Sequence, residues 1–163
     1  ESRQGVGTTY YITLPLEIDP NAAPQPETEK PADDATLQGV NILLAEDNDL
    51  NLEIAQFLLE NAGATVTAAR NGQEAVDIFA ASRPGEFDAI LMDVMMPVMD
   101  GYTATRTIRR LDRPDAGRIP ILAMTANAFA EDRRRAYEAG MNEHLTKPLE
   151  TELVIKTLAK YRK

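Results

Sequence analysis

From Gly39 onward, short apolar runs alternate with longer stretches whose apolar residues recur at helical spacing. Asn41-Ile42-Leu43-Leu44-Ala45 is nearly all apolar, as in a strand buried on both faces of a parallel sheet. Asp49 can cap a following helix whose face carries Leu50, Ile54, Phe57 and Leu58 and which ends before Gly63. Thr65 to Ala68 reads as a second strand, and Asn71-Gly72 turns into a helix through Ala75, Val76 and Phe79. Asp88 to Met92 is the third strand, with a helix around Tyr102 to Leu111. Ile121 to Met124 is the fourth, followed by a helix from Ala130 to Ala139 stopped by Gly140. Glu143 to Thr146 is the fifth strand, and Leu153 to Tyr161 an amphipathic closing helix. Five strand-then-helix repeats imply parallel pairing through right-handed crossovers. The expected fold is α/β, a doubly wound five-stranded parallel sheet flanked by five helices.

The first 38 residues do not follow this pattern. Thr9-Tyr10-Tyr11-Ile12-Thr13-Leu14 alternates apolar and polar positions, as in a single strand closed by Pro15. Residues 19–38 hold Pro20, Pro24, Pro26 and Pro31, with Leu37 the only large aliphatic side chain. Such a stretch buries too little surface to offset its ordering entropy, so it is expected to be a flexible linker. The expected organisation is a terminal remnant over 1–18, a linker over 19–38 and one domain over 39–163.

At 163 residues, 44% hydrophobic and 26% charged, the chain has apolar side chains enough for one real core. Its net charge of −9 repels nucleic acid and anionic lipid, which argues against direct binding of either. With no cysteine, it forms neither a disulfide framework nor a thiolate metal site. No apolar run approaches the roughly 20 residues of a spanning helix. The chain starts at Glu1 without a signal-peptide pattern, and is expected to be a piece of a longer protein.

In open α/β sheets, ligands bind beyond the carboxyl ends of the strands. The first strand delivers Glu46 and Asp47 there, the third Asp93, the fourth Thr125, and the fifth Lys147 followed by Pro148. Taken singly, each has an ordinary reading: a helix cap, a turn residue, a strand-end hydroxyl, a solvated charge. Together they are chemically complementary. Two carboxylates about 4 Å apart repel by roughly 4 kcal/mol at an effective dielectric near 20. Three are tolerable only when protonated, paired with Lys147 or bound to a hard cation. Oxygen donors without His or Cys favour Mg²⁺, and a lysine and a hydroxyl beside it suit a transferring phosphoryl group. The carboxylate nearest the metal is then the natural nucleophile for an acyl phosphate.

These residues lie in the runs LLAEDN (43–48), ILMDVMMPVMDG (90–101), MTAN (124–127) and HLTKP (144–148). Residues 39–163 thereby resemble the flavodoxin-like receiver domains of two-component signalling. The resemblance implies that Glu46, Asp47, Asp93 and the backbone carbonyl of Met95 hold Mg²⁺. It implies Asp93 as phosphoacceptor, Lys147 as the ion-pair partner of the phosphate, and Thr125 as a hydroxyl that moves toward it. The Lys147-Pro148 bond is expected to be cis, and Pro97 and Gly101 match the loop after the acceptor. One position departs from the pattern. His144 stands where the family usually has Tyr or Phe, an aromatic that swings inward on activation, and imidazole can make the same swing. Side chains two after the acceptor and two after the threonine tune phosphoryl loss in the family; here they are Met95 and Asn127. A thioether cannot orient water strongly, so the phosphoryl group is expected to last minutes to hours.

At the N-terminus, Glu1-Ser2, Gly5-Val6-Gly7-Thr8-Thr9 and Leu14-Pro15-Leu16 resemble the last glycine box and final strand of a histidine-kinase ATPase domain. Followed by a linker and a receiver, this is the domain order of a hybrid sensor histidine kinase. The remnant lacks the rest of a nucleotide site, so this chain is not itself a kinase. Its one histidine is His144, so the phosphodonor histidine belongs to a histidine kinase or histidine phosphotransfer protein outside it. That partner is expected to dock on the rim of Asn48, Leu50, Asn51, Ile54 and Pro148, with Leu50 and Ile54 as apolar anchors. The resemblance implies a cytoplasmic location, with membrane anchoring left to the parent protein; oligomeric state, stimulus and direction of phosphate flow stay open. Two other classes of function fit parts of the pattern. A docking pseudo-receiver would carry no phosphate. A phosphatase of the haloacid-dehalogenase type needs a second acid two residues after the nucleophile, where this chain has Met95.

Overall fold

The computed structural model describes residues 2–3, 7–8, 36–126 and 130–161. Ser2–Arg3 pairs antiparallel with Gly7–Thr8, a two-residue ladder. The alternating stretch at Thr9 to Leu14 and most of the expected linker lie outside the described residues.

Five strands form one parallel sheet: β1 (Asn41–Ala45), β2 (Thr65–Ala69), β3 (Ala89–Asp93), β4 (Ile121–Thr125) and β5 (Glu143–Thr146). Their order is β2-β1-β3-β4-β5. The helices between and after them are α1 (Asp49–Asn61), α2 (Gly72–Ala81), α3 (Gly101–Arg109), α4 (Ala130–Ala139) and α5 (Thr151–Ala159). This is the doubly wound architecture the alternation predicts. Successive strand side chains point to opposite faces, so each strand feeds two cores. Leu43, Ile90, Met92 and Ile121 pack with Phe79 of α2 and Ile108 of α3. Ile42, Leu44, Leu91 and Leu122 pack on the other face with Leu59 of α1 and Leu158 of α5. Burial on both faces is why the central strands carry almost no polar residue.

Three local expectations are corrected. The side chain that caps α1 is Asn48, whose Oδ1 accepts from Asn51 N at 3.0 Å, and Asp49 is already helical. The inward face of α1 carries Leu52, Ala55 and Leu59, while Leu50, Ile54 and Phe57 point out and are 64%, 49% and 64% exposed. Both sets have spacings near 3.6, and periodicity alone does not say which stripe meets the sheet. Leu37, assigned to the linker by composition, is buried in the α1–α5 core, and its N–H donates to Ala62 O at 2.8 Å. Ordered packing therefore begins upstream of Gly39.

Candidate functional site

The strand order reverses between β1 and β3, and the carboxyl ends of these strands open the crevice where doubly wound sheets bind ligands. Glu46 follows β1 directly and is held there by its N–H to Ala69 O at 3.0 Å. Asp93 is the last residue of β3, and register places it beside Met124 of β4. Thr125, half-buried at the end of β4, pairs with Thr146, and its carbonyl accepts from Lys147 N at 2.9 Å. The sheet thus brings Glu46, Asp93, Thr125 and Lys147 to one edge.

The side chains converge further. Lys147 Nζ donates to Asp93 Oδ2 at 2.6 Å and to Glu46 Oε2 at 2.5 Å. Asp93 Oδ1 accepts from Met95 N at 3.2 Å. Glu46 and Asp93 are only 2% and 6% exposed, whereas Asp47 is exposed. Burial raises the pKa of Asp93 above the ordinary carboxylate value; Glu46 adds to the rise, and Lys147 and the Met95 N–H oppose it. Burial alone would lower that of Lys147, but its hydrogen bonds to Asp93 and Glu46 outweigh this and raise it. In this state one ammonium compensates two buried carboxylates.

Backbone contacts fix the loop that leaves Asp93. Gly101 N donates to Val94 O at 3.0 Å, Met99 N to Pro97 O at 2.7 Å, and Gly72 N to Met99 O at 3.0 Å. A Cβ on Gly101 would lie 2.1 Å from Asp93 O, so only glycine permits this approach. Val98 takes a positive φ of 67° in this loop, and its side chain, like that of Met95, projects into solvent. The Lys147-Pro148 bond is cis, as expected. His144 sits opposite Ala123, half-buried, with Nδ1 buried and without a hydrogen-bond partner among the described residues. Asn127 lies outside the described residues.

One contact is absent from the sequence reading. Asn51, expected only on the rim, donates from Nδ2 to Glu46 Oε1 at 3.0 Å. With Ile54, Lys147 and Pro148 it lines a small cleft of about 80 Å³ beside Glu46. The signal was its place in the first turn of a helix that starts two residues after the acidic pair.

The donor set fits a hard cation. Glu46, Asp47 and Asp93 each offer a carboxylate oxygen, and these lie within 4.8 Å of one another. Oxygen ligands from carboxylates suit Mg²⁺ or Ca²⁺ over softer metals.

The response regulator receiver domain family matches residues 42–159. The chain belongs to that family. The aerobic respiration control sensor protein ArcB of Escherichia coli K12 is 34% identical over 161 residues, which is 98% of this chain and 20% of ArcB. The receiver domain of the sensor histidine kinase PA1611 of Pseudomonas aeruginosa, solved with a magnesium ion in its active-site cleft, is 41% identical. It superposes with a TM-score of 0.67 over 76% of this chain and 97% of that one. The Saccharomyces cerevisiae complex of the phosphotransfer protein Ypd1 with the receiver of Ssk1 is 31% identical, with a TM-score of 0.65 over 75% and 88%. The chain also matches two histidine kinases, from Arabidopsis thaliana and Dictyostelium discoideum, and spans only 13% and 7% of their length. Among the described residues no helix is long and apolar enough to cross a membrane.

Proposed function

We propose that this receiver domain takes a phosphoryl group onto Asp93 from a phosphohistidine, with Mg²⁺ held by Glu46, Asp47, Asp93 and the Met95 carbonyl. The observation that carries this reading is the Lys147 ammonium bridging the buried Asp93 and Glu46 beside the exposed Asp47. A carboxylate oxygen of Asp93 attacks phosphorus, the P–O bond forms as the P–N bond to the donor imidazole breaks, and the imidazole leaves. Bound Mg²⁺ would neutralise charge on the phosphoryl oxygens. Lys147 is placed to move from Asp93 Oδ2 to the new phosphate, and Thr125, at the end of the neighbouring strand, to donate to it.

The rim of Asn48, Leu50, Asn51, Ile54 and Pro148 is the docking surface in this reading, and the outward stripe of α1 supplies its apolar part. A partner must present its histidine to a nearly enclosed carboxylate, so it covers this rim. The PA1611 receiver supports the metal, and the Ypd1 complex supports a histidine phosphotransfer protein as partner; a histidine kinase is the other donor. The ArcB match extends through the N-terminal residues, which supports a hybrid sensor histidine kinase as parent and a kinase remnant over 1–18. His144 is the switch residue in this reading, and its buried Nδ1, without a partner among the described residues, suits a ring that rearranges on activation. The test is incubation with a phosphorylated histidine phosphotransfer protein. Label should pass to the wild-type chain and not to Asp93→Asn; equal labelling of both would reject Asp93 as acceptor.

A further inference from the structure

We propose that Asn51 sets the cation selectivity of this site by reserving one oxygen of Glu46, an inference that rests on the metal reading above. Glu46 is 2% exposed, and both its carboxylate oxygens are engaged. Oε2 accepts from Lys147 Nζ at 2.5 Å, and Oε1 accepts from Asn51 Nδ2 at 3.0 Å. The two partners differ in how readily they let go. The Lys147 ammonium sits on a flexible four-carbon stem and also holds Asp93 Oδ2 at 2.6 Å, so it can release Glu46 and stay paired. A cation entering between the carboxylates repels that ammonium and favours the release. Asn51 carries no charge, and its position is fixed in the first turn of α1 by its own N–H to Asn48 Oδ1 at 3.0 Å. A cation therefore finds Oε2 vacated, while the hydrogen bond from Asn51 to Oε1 keeps the carboxylate from turning both oxygens toward it.

A carboxylate limited to one oxygen discriminates between the two hard cations the donor set admits. Mg²⁺ takes six ligands in near-ideal octahedral geometry, keeps several waters and accepts carboxylates through single oxygens. Ca²⁺ takes more ligands and is well served by carboxylates that turn both oxygens to it. Without the Asn51 amide, Glu46 is free to turn both oxygens inward, which Ca²⁺ can use and Mg²⁺ cannot. The ordinary reading is that Asn51 only satisfies a buried oxygen. Its loss would then lower stability and shift both affinities together.

Calorimetric titration with Mg²⁺ and with Ca²⁺ on the whole chain separates these, with Asn51→Leu and Asn51→Ala as the donor-free variants. Asn51→Gln keeps the amide. Melting curves confirm that each variant is folded; Asn51 lies on the outer side of α1, clear of the core face of Leu52, Ala55 and Leu59. The ratio of the Ca²⁺ to the Mg²⁺ dissociation constant is expected to fall roughly tenfold in both donor-free variants, the scale on which outer-sphere partners act. It should stay near the wild-type ratio in Asn51→Gln. An unchanged ratio in the donor-free variants, or an equal fall in Asn51→Gln, would overturn the role of Asn51 and leave the metal reading standing. Absence of Mg²⁺ binding by the wild type would overturn both.

Discussion

Arg113 anchors a cluster remote from the acidic crevice. It donates to the Phe79 carbonyl in α2 and to the Ser82 and Arg83 carbonyls just beyond it, lies 4.0 Å over the Phe79 ring and pairs with Asp115. The hydrogen bond from Arg113 holds the Asp115 carboxyl down at a pKa of about 2. A depressed folded-state value contributes stability that is complete above the unfolded value and is lost as pH falls through the folded one. Asp115→Asn should therefore cost about 1 kcal/mol at neutral pH, allowing for solvent screening, as read by urea unfolding. The cost should shrink as pH drops from about 4 toward 2, and a constant cost would mean that charge is not its source. Thr105 is fully buried on α3, and its hydroxyl has no partner among the described residues. Valine keeps the shape and removes the unsatisfied group. Thr105→Val is expected to stabilise by about 1 kcal/mol in the same assay, and a loss would expose a partner for the hydroxyl. Asp93 is the opposite case to Asp115. Its raised value costs the fold stability progressively as pH rises from the unfolded carboxylate value to the folded one, and the full cost remains above it. Without divalent cation, Asp93→Asn should raise the melting temperature at neutral pH, and the gain should fade in acid.

Helix α1 shows what an element adds to its residues. Leu59→Ala removes a side chain from the sheet-facing stripe and should cost about 2–5 kcal/mol. Ile54→Ser and Phe57→Ser act on the outward stripe and should change stability by no more than about 0.5 kcal/mol. Both should slow phosphotransfer from a protein donor yet leave labelling by acetyl phosphate unchanged, because a small donor needs no docking surface. Loss of both activities would place these residues in the site itself. The sequence contained both stripes and did not say which one faced the sheet, since that depends on how α1 leaves β1. The same limit hid the Asn51–Glu46 bond. It depends on the pitch of the first turn and on the Asn48 cap, and neither is encoded in a strand-end pattern.

The whole molecule was more legible than its details. Runs such as Ile42 to Ala45 and Ala89 to Met92 are apolar because both sheet faces are covered, and that alone yields a parallel, doubly wound sheet. Topology then dictates that Glu46, Asp93, Thr125 and Lys147 share one edge, since each ends or follows a strand. The domain start was less legible. Leu37 is a lone aliphatic in a Pro-rich stretch, and its place in the core appears only once α1, α5 and the sheet are folded together around it. Met95, exposed and apolar, also bears on how long the domain stays phosphorylated: loss of label is expected over minutes to hours, and a half-life of seconds at neutral pH would contradict this.

The most direct test of Asp93 as phosphoacceptor is intact mass measured after incubation with acetyl phosphate and Mg²⁺. The account predicts one added phosphoryl group per chain, dependent on Mg²⁺, mapped to Asp93 and absent in Asp93→Asn. An unlabelled wild-type chain, or an Asp93→Asn variant labelled as fully as wild type, would contradict it.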